Sequence, residues 1–165
     1  MSDAASSARV WTVLETVMDP ELPMLSLIDL GVIRSVETLA GGTVRVGVSP
    51  TYSGCPAQQV IRQDIMSALH GAGFAQVRVH DELSPPWTSD WISARGRERL
   101  RECGIAPPEA GSRTRGELRG RAPEVACPHC GSTRTERVSE FGSTPCKAHY
   151  RCAACLEPFE YFKCI

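Results

Sequence analysis

Two Cys-x-x-Cys pairs, Cys127/Cys130 in CPHCGS and Cys152/Cys155 in CAAC, stand 21 residues apart in the last segment of the chain, residues 124–165. No other feature limits the fold as much. A segment this short cannot bury enough apolar surface to hold itself together, so it needs a staple. Each Cys-x-x-Cys turn lets two thiolates face a common ion, and Gly131 supplies the positive φ that follows such a knuckle. Four thiolates complete a closed, tetrahedral structural zinc site, and the bound ion supplies folding free energy. The expectation is a C-terminal zinc ribbon with Cys127, Cys130, Cys152 and Cys155 as ligands. An iron–sulfur cluster on the same sulfurs and a redox Cys-x-x-Cys are the alternatives. Cys146 with Cys152 and Cys155 forms a second candidate set, to which His149 and Cys164 could add. His129, inside the first knuckle, is expected to be exposed and not a ligand.

The chain has eight cysteines, and nothing at its start resembles a secretory leader. No apolar run is long enough to cross a bilayer. A soluble, cytoplasmic protein is therefore expected, with no membrane partner, and in a reducing compartment paired cysteines read as metal ligands. At 42% hydrophobic and 22% charged residues the composition is that of a folded chain.

The net charge of −1 is unevenly spread: residues 1–94 hold five basic against ten acidic residues, residues 95–121 eight against four, and residues 122–165 five against five. The basic middle has no interleaved aromatics to stack bases, which argues against nucleic acid. Residues 104–123 carry three prolines and four glycines and read as a linker between a domain at 1–103 and the ribbon at 124–165.

In the first domain, Val10, Val13, Leu14 and Val17 recur at helical spacing, with Ser6 or Ser7 as N-cap and Asp19-Pro20 as the end. DPELPMLSLIDLG reads as a structured loop. Val32–Leu39 and the alternating Val44, Val46, Val48 flank Gly41-Gly42 as a hairpin. A helix then carries Ala57, Ile61, Ile65, Ala68 and Leu69 on one stripe. Val77 and Val79 mark a third strand, and a last helix is expected from Thr88 or Ser89, interrupted at Gly96. Asp90, between Trp87 and Trp91, suits either a partner contact or a helix first turn.

Cys55 falls between the second strand and the second helix, in SPTYSGCPA. At a helix mouth, free N–H groups and the macrodipole favour a negative sulfur, so its thiolate is expected to form more easily than usual. A small buried hydrophobe is the alternative. His70 and His80 are not placed near it by the pattern, which disfavours Cys–His catalysis.

DPELPMLSLIDLGVI, SPTYSGCPA and PPWTSDWI, in this order, resemble the domain family of the eukaryotic cytosolic iron–sulfur assembly factor and its bacterial relatives. With a four-cysteine ribbon ending EPFEYFKCI, the chain looks like the branch of accessory proteins encoded with the bacterial phenylacetyl-CoA epoxidase of aerobic phenylacetate degradation. The resemblance implies an α+β iron–sulfur-cluster-assembly-type domain, helices packed on a small three-stranded mixed sheet, followed by the zinc ribbon. It carries the family's site onto Asp19, Glu21 and Leu22 in the first loop and Thr51 and Cys55 in the second. Ser49 stands where some relatives have threonine, and Tyr52 or Ser53 where they have a further hydroxyl.

A thiolate with carboxylates can hold an iron ion or the edge of an iron–sulfur cluster transiently, with few enough ligands for release. The expected function is that of an accessory maturation protein for the multicomponent phenylacetyl-CoA epoxidase. The alternative is a non-catalytic interaction subunit of the oxygenase complex. Partners implied by the resemblance are the oxygenase and reductase subunits or general iron–sulfur assembly proteins, with a homodimer left open. No nucleotide-binding glycine loop, HExxH or catalytic triad suggests an independent enzyme.

Overall fold

A computed structural model describes residues 3–52, 54–109, 111 and 123–163. The chain forms two compact units, Met1–Trp87 and Thr88–Ile165. Most of the expected linker, residues 110 and 112–122, lies outside the described residues, as do Ser53 and Cys164.

The first unit is built on a three-stranded mixed sheet. Helix α1 (Asp3–Leu14) precedes strand β1 (Ile33–Thr38), which pairs antiparallel with β2 (Val44–Val48); helix α2 (Gln58–Gly71) leads into β3 (Val77–Asp81), parallel to β2. Strict alternation puts Val44, Val46 and Val48 on one face of the central strand, each at most 2% exposed. Val10 and Leu14 of α1, and Ile61, Ile65 and Leu69 of α2, are buried with them. Residues 19–31 add Leu22, Leu25, Leu27 and Leu30, so the loop between α1 and β1 is part of the core. Each such side chain contributes about 1.5–3 kcal/mol of burial.

Helix α1 begins at Asp3, so Ser6 and Ser7 lie inside it and cap nothing. Ala4 and Ala5 are good helix formers, and they extend the helix past the serines. It also ends earlier than Asp19, with the Thr16 hydroxyl donating to the Val13 carbonyl in a closing turn. At the other face of the sheet the backbone of Gly47 makes room for Glu82: a Cβ there would collide with Oε2, which accepts the Ser35 hydroxyl at 2.7 Å. Trp87 closes the unit, its indole N–H donating to the Leu30 carbonyl at 3.0 Å.

The second unit starts with a 3-10 turn at Ser89–Trp91, capped by Thr88. Helix α3 (Ala94–Glu102) is separate from it, because the Ser93 hydroxyl accepts the Gly96 N–H and opens a new helix. Gly96 therefore lies in a capped first turn and interrupts nothing. Strands β5 (Thr135–Ser139), β6 (Lys147–Cys152) and β7 (Pro158–Phe162) form an antiparallel meander. A two-residue strand β4 (Ile105–Ala106) joins it, parallel to β7, in the order β4-β7-β6-β5. Residues expected to open the linker are thus part of the ribbon sheet, and the boundary between compact units falls at Trp87/Thr88. Asp90 accepts the Gly111 N–H at 2.7 Å, so this carboxylate ties its own chain.

The ribbon core contains Ala106, Val125, Cys127, Ala148, Tyr150, Cys152, Phe159 and Tyr161. Tyr150 stacks on Phe159 with centroids 5.8 Å apart and meets Tyr161 edge-on at 5.5 Å. Phe162 is also buried, whereas Phe141 is 62% exposed. Buried Lys147 pairs with Glu160 at 3.0 Å, and Glu160 also accepts the Ser143 N–H at 2.6 Å.

Candidate functional site

Four cysteine sulfurs of the ribbon, Cys127, Cys130, Cys152 and Cys155, lie within 4.8 Å of one another; among the described residues no other group of three or more potential ligands does so. Two equivalent turns place them, closed by Gly131 N–H to the Cys127 carbonyl at 2.8 Å and Leu156 N–H to the Cys152 carbonyl at 3.0 Å. Sulfur separations across the knuckles are 3.7 Å (Cys127–Cys155) and 3.6 Å (Cys130–Cys152). A tetrahedral ion bonded at about 2.3 Å requires sulfurs about 3.8 Å apart, so the cage fits such an ion. The Cys155 backbone N–H pulls the Cys152 thiol down to about 6. Despite a favourable Glu157 N–H, burial and the three neighbouring sulfurs push Cys155 up to about 12.

Cys146 is buried outside this cage, with its sulfur 3.0 Å from the Thr144 hydroxyl, so the set that included it is not the one formed. His129 is exposed and not part of the cage. Its ring instead packs over Gly104, where a Cβ would be 3.2 Å from Cε1.

The second set of candidates lies in two loops of the first unit, one between α1 and β1 and one between β2 and α2. Asp19 is 6% exposed, and its Oδ1 accepts two backbone N–H groups, from Glu21 at 2.9 Å and Leu22 at 2.8 Å. The Asp19 N–H donates to the Leu25 carbonyl at 2.9 Å. This carboxylate therefore ties the loop into a turn and sets where Glu21 stands. Leu22 is 2% exposed, so it contributes a core side chain and its N–H to that turn. Thr51 is half-buried in the bend after β2.

Cys55 is half-buried, three residues ahead of α2, whose N-cap position is occupied by Ala57. Its thiol is harder to ionise than usual, contrary to the expectation from a helix mouth. Burial is the first cause, and the negative charges of Glu21 and then Asp19 act in the same direction. The Ala57 N–H opposes them without prevailing. The helix starts too late for its dipole to dominate. Both carboxylates nevertheless act on this sulfur.

A ribbon with four clustered cysteines and an α+β domain on a three-stranded mixed sheet make this a protein of two modules. The chain belongs to the iron–sulfur cluster assembly protein family, in the branch that carries the PaaD zinc beta ribbon: the first family's model matches residues 7–80 and the second's residues 111–163. It is 49% identical, over 95% of its own length and 92% of the relative's, to an Escherichia coli (strain K12) protein that bears the provisional name of a 1,2-phenylacetyl-CoA epoxidase component. A Porphyromonas gingivalis Fe-S protein maturation auxiliary factor is 34% identical over 56% of this chain and 85% of that protein. The crystal structure of a domain of unknown function, DUF59, from Bacillus anthracis superposes with a TM-score of 0.56 at 25% identity, covering 61% of this chain and 95% of that one. No described helix is long and apolar enough to cross a membrane.

Proposed function

We propose that this chain is an accessory maturation protein of a phenylacetyl-CoA epoxidase, assisting insertion of iron or an iron–sulfur cluster into a partner protein. The observation that carries this reading is the match of residues 7–80, which contain Cys55 and the Asp19–Glu21 loop, to the iron–sulfur cluster assembly protein family. Without a cation, burial and the charges of Glu21 and Asp19 keep the proton on sulfur. A divalent iron ion reverses the balance: it takes the place of the proton, and the same carboxylates that opposed the thiolate then stabilise the ion. Cys55 supplies the soft donor and Glu21 a hard one, while Asp19 holds the loop through its two N–H groups. Thr51 lies in the bend between β2 and Cys55 and can orient a cargo-bound water. Two strong donors leave most of the coordination sphere to the receiving protein, which favours release over storage.

In the ribbon we assign a structural zinc ion to Cys127, Cys130, Cys152 and Cys155, with four protein ligands and no open position for chemistry. The family matches support the division of labour, since the iron–sulfur cluster assembly model covers residues 7–80 and the PaaD zinc beta ribbon model residues 111–163. The test is Cys55→Ala in cells that depend on the epoxidase. The expected result is an oxygenase assembled in normal amount but depleted of iron, with activity reduced in proportion. Full iron loading and full activity in the variant would leave the chain as a scaffold component with structural zinc.

A further inference from the structure

Helix α2 starts without a cap of its own. Ala57 fills the N-cap position with no side chain able to accept a helix N–H, and no acidic residue stands in the first turn. Cys55 lies just ahead of this start, so whatever sets where α2 begins also sets where the sulfur stands. The chain from Cys55 to Gln58 is a β-turn: the Gln58 N–H donates to the Cys55 carbonyl at 3.2 Å, Pro56 takes the second position, and Ala57 takes the third with φ −74° and ψ −11°. Such a turn fixes its own four residues but not their place in the fold.

Side chains from one face of α2 supply that place by reaching β3, an edge strand of the first sheet. The Gln58 side-chain amide donates to Asp81 Oδ1 at 3.0 Å. Arg62, one helical turn further on, pairs with the same oxygen, and its Nη1 donates to the Val79 carbonyl at 3.1 Å. Gln58 belongs both to the turn and to this clamp: its backbone holds the Cys55 carbonyl and its side chain holds Asp81. Gln58 is half-buried and Asp81 exposed, so polar contacts between them contribute little to overall stability. Their consequence is local.

We propose that Gln58 and Asp81 are positioning residues for Cys55: the pair seats the Cys55–Gln58 turn on β3 and so fixes where the sulfur stands. This rests on the reading of Cys55 as the thiol that handles iron. A donor whose position is held by an outer hydrogen bond loses metal affinity when that bond is removed, because the donor must then be ordered at the moment of binding.

The experiment uses the full-length, zinc-loaded protein. Alkylation of Cys55 by iodoacetamide across pH, read by peptide mass spectrometry, reports on the seat of the sulfur without any cargo. Anaerobic titration with ferrous ammonium sulfate reports on iron, and thermal melting on the fold. Gln58→Ala and Asp81→Ala each cut the clamp. In both, the turn loosens and water reaches the half-buried sulfur, so relief of the burial that raises this thiol moves the alkylation profile to lower pH. Ferrous iron is expected to bind about tenfold more weakly. The melting temperature should stay within about 5 °C of wild type. Gln58→Glu combined with Asp81→Asn exchanges donor and acceptor, rebuilds the hydrogen bond, and should restore both the profile and the affinity. An unchanged alkylation profile in either alanine variant would overturn the proposal. So would an exchanged pair that behaves like the alanine variants, or a larger fall in melting temperature, which would show the clamp to be part of what holds the fold. If Cys55→Ala binds ferrous iron as tightly as wild type, the maturation reading falls, and the alkylation profiles alone then decide the clamp.

Discussion

Asp19 is the residue on which the candidate site depends without being a donor to it, and its replacement gives a magnitude that follows from geometry. Asp19→Ala removes the acceptor of two hydrogen bonds, from the N–H groups of Glu21 and Leu22, at a position only 6% exposed. Hydrogen bonds to a charged group contribute about 1.5 kcal/mol each at the low end, so the loss is about 3 kcal/mol. For a unit of this size that is a fall in melting temperature on the order of 15 °C. Asp19→Asn keeps an oxygen in the same place and loses the charge, so it should cost about 1 kcal/mol. Urea unfolding followed by Trp fluorescence gives the free energies, and amide hydrogen exchange at Glu21 and Leu22 localises them: protected in wild type and Asp19→Asn, open in Asp19→Ala. An Asp19→Ala protein within about 0.5 kcal/mol of wild type would refute the turn-holding role. Equal damage from both variants would show that charge, not loop geometry, is what matters.

Removing the Glu21 charge takes away one of the causes that raise the Cys55 thiol, although burial, the first cause, remains. Glu21→Gln should therefore shift the pH profile of Cys55 alkylation, read by peptide mass spectrometry, to lower pH. Because the folded thiol titrates above the unfolded one, its contribution to stability is complete below the unfolded value. It is lost as pH rises through the folded value, so the first unit should weaken in alkali and not at neutral pH. In the ribbon, Glu160→Gln leaves buried Lys147 without its counter-charge and should cost about 2–3 kcal/mol in urea, whereas Lys147→Met should cost less. Burial raises the Glu160 carboxyl, but the Ser143 N–H and Lys147 outweigh it and hold it below the usual range. That stabilisation is present above the ordinary glutamate value and lost as acid takes the pH through the folded one. Stripping metal with a chelator should abolish the near-ultraviolet signal of Tyr150 and Tyr161 while leaving α1 and α2 helical, since the first unit has its own core.

Features written in spacing are legible in the sequence alone. The knuckles need only residue identity and separation, and the central strand shows itself in Val44, Val46 and Val48 because burial on one face imposes a period of two. The DPELPMLSLIDLG loop is readable as ordered, but its leucines belong to the core. What escapes depends on where an element begins or on what lies across space. Ser6 and Ser7 have the right chemistry for a cap, yet Ala4 and Ala5 carry the helix past them. Cys55 precedes a helix, but α2 starts three residues later, so burial and carboxylates set its titration, not the helix terminus. Strand β4 spans two residues in a proline-rich stretch, and only pairing with β7 makes it a strand. The pair Lys147–Glu160 leaves no local signal at all, because its partners come from different strands.

Ferrous iron enriched in 57Fe, added anaerobically to the zinc-loaded protein and read by Mössbauer spectroscopy, addresses the role of Cys55 most directly. The expected spectrum contains a high-spin ferrous site with mixed sulfur and oxygen ligation, lost in Cys55→Ala and weakened in Glu21→Gln, while the zinc content stays constant in all three proteins. An iron spectrum unchanged by Cys55→Ala would contradict the assignment of this thiol as the donor that carries the cargo.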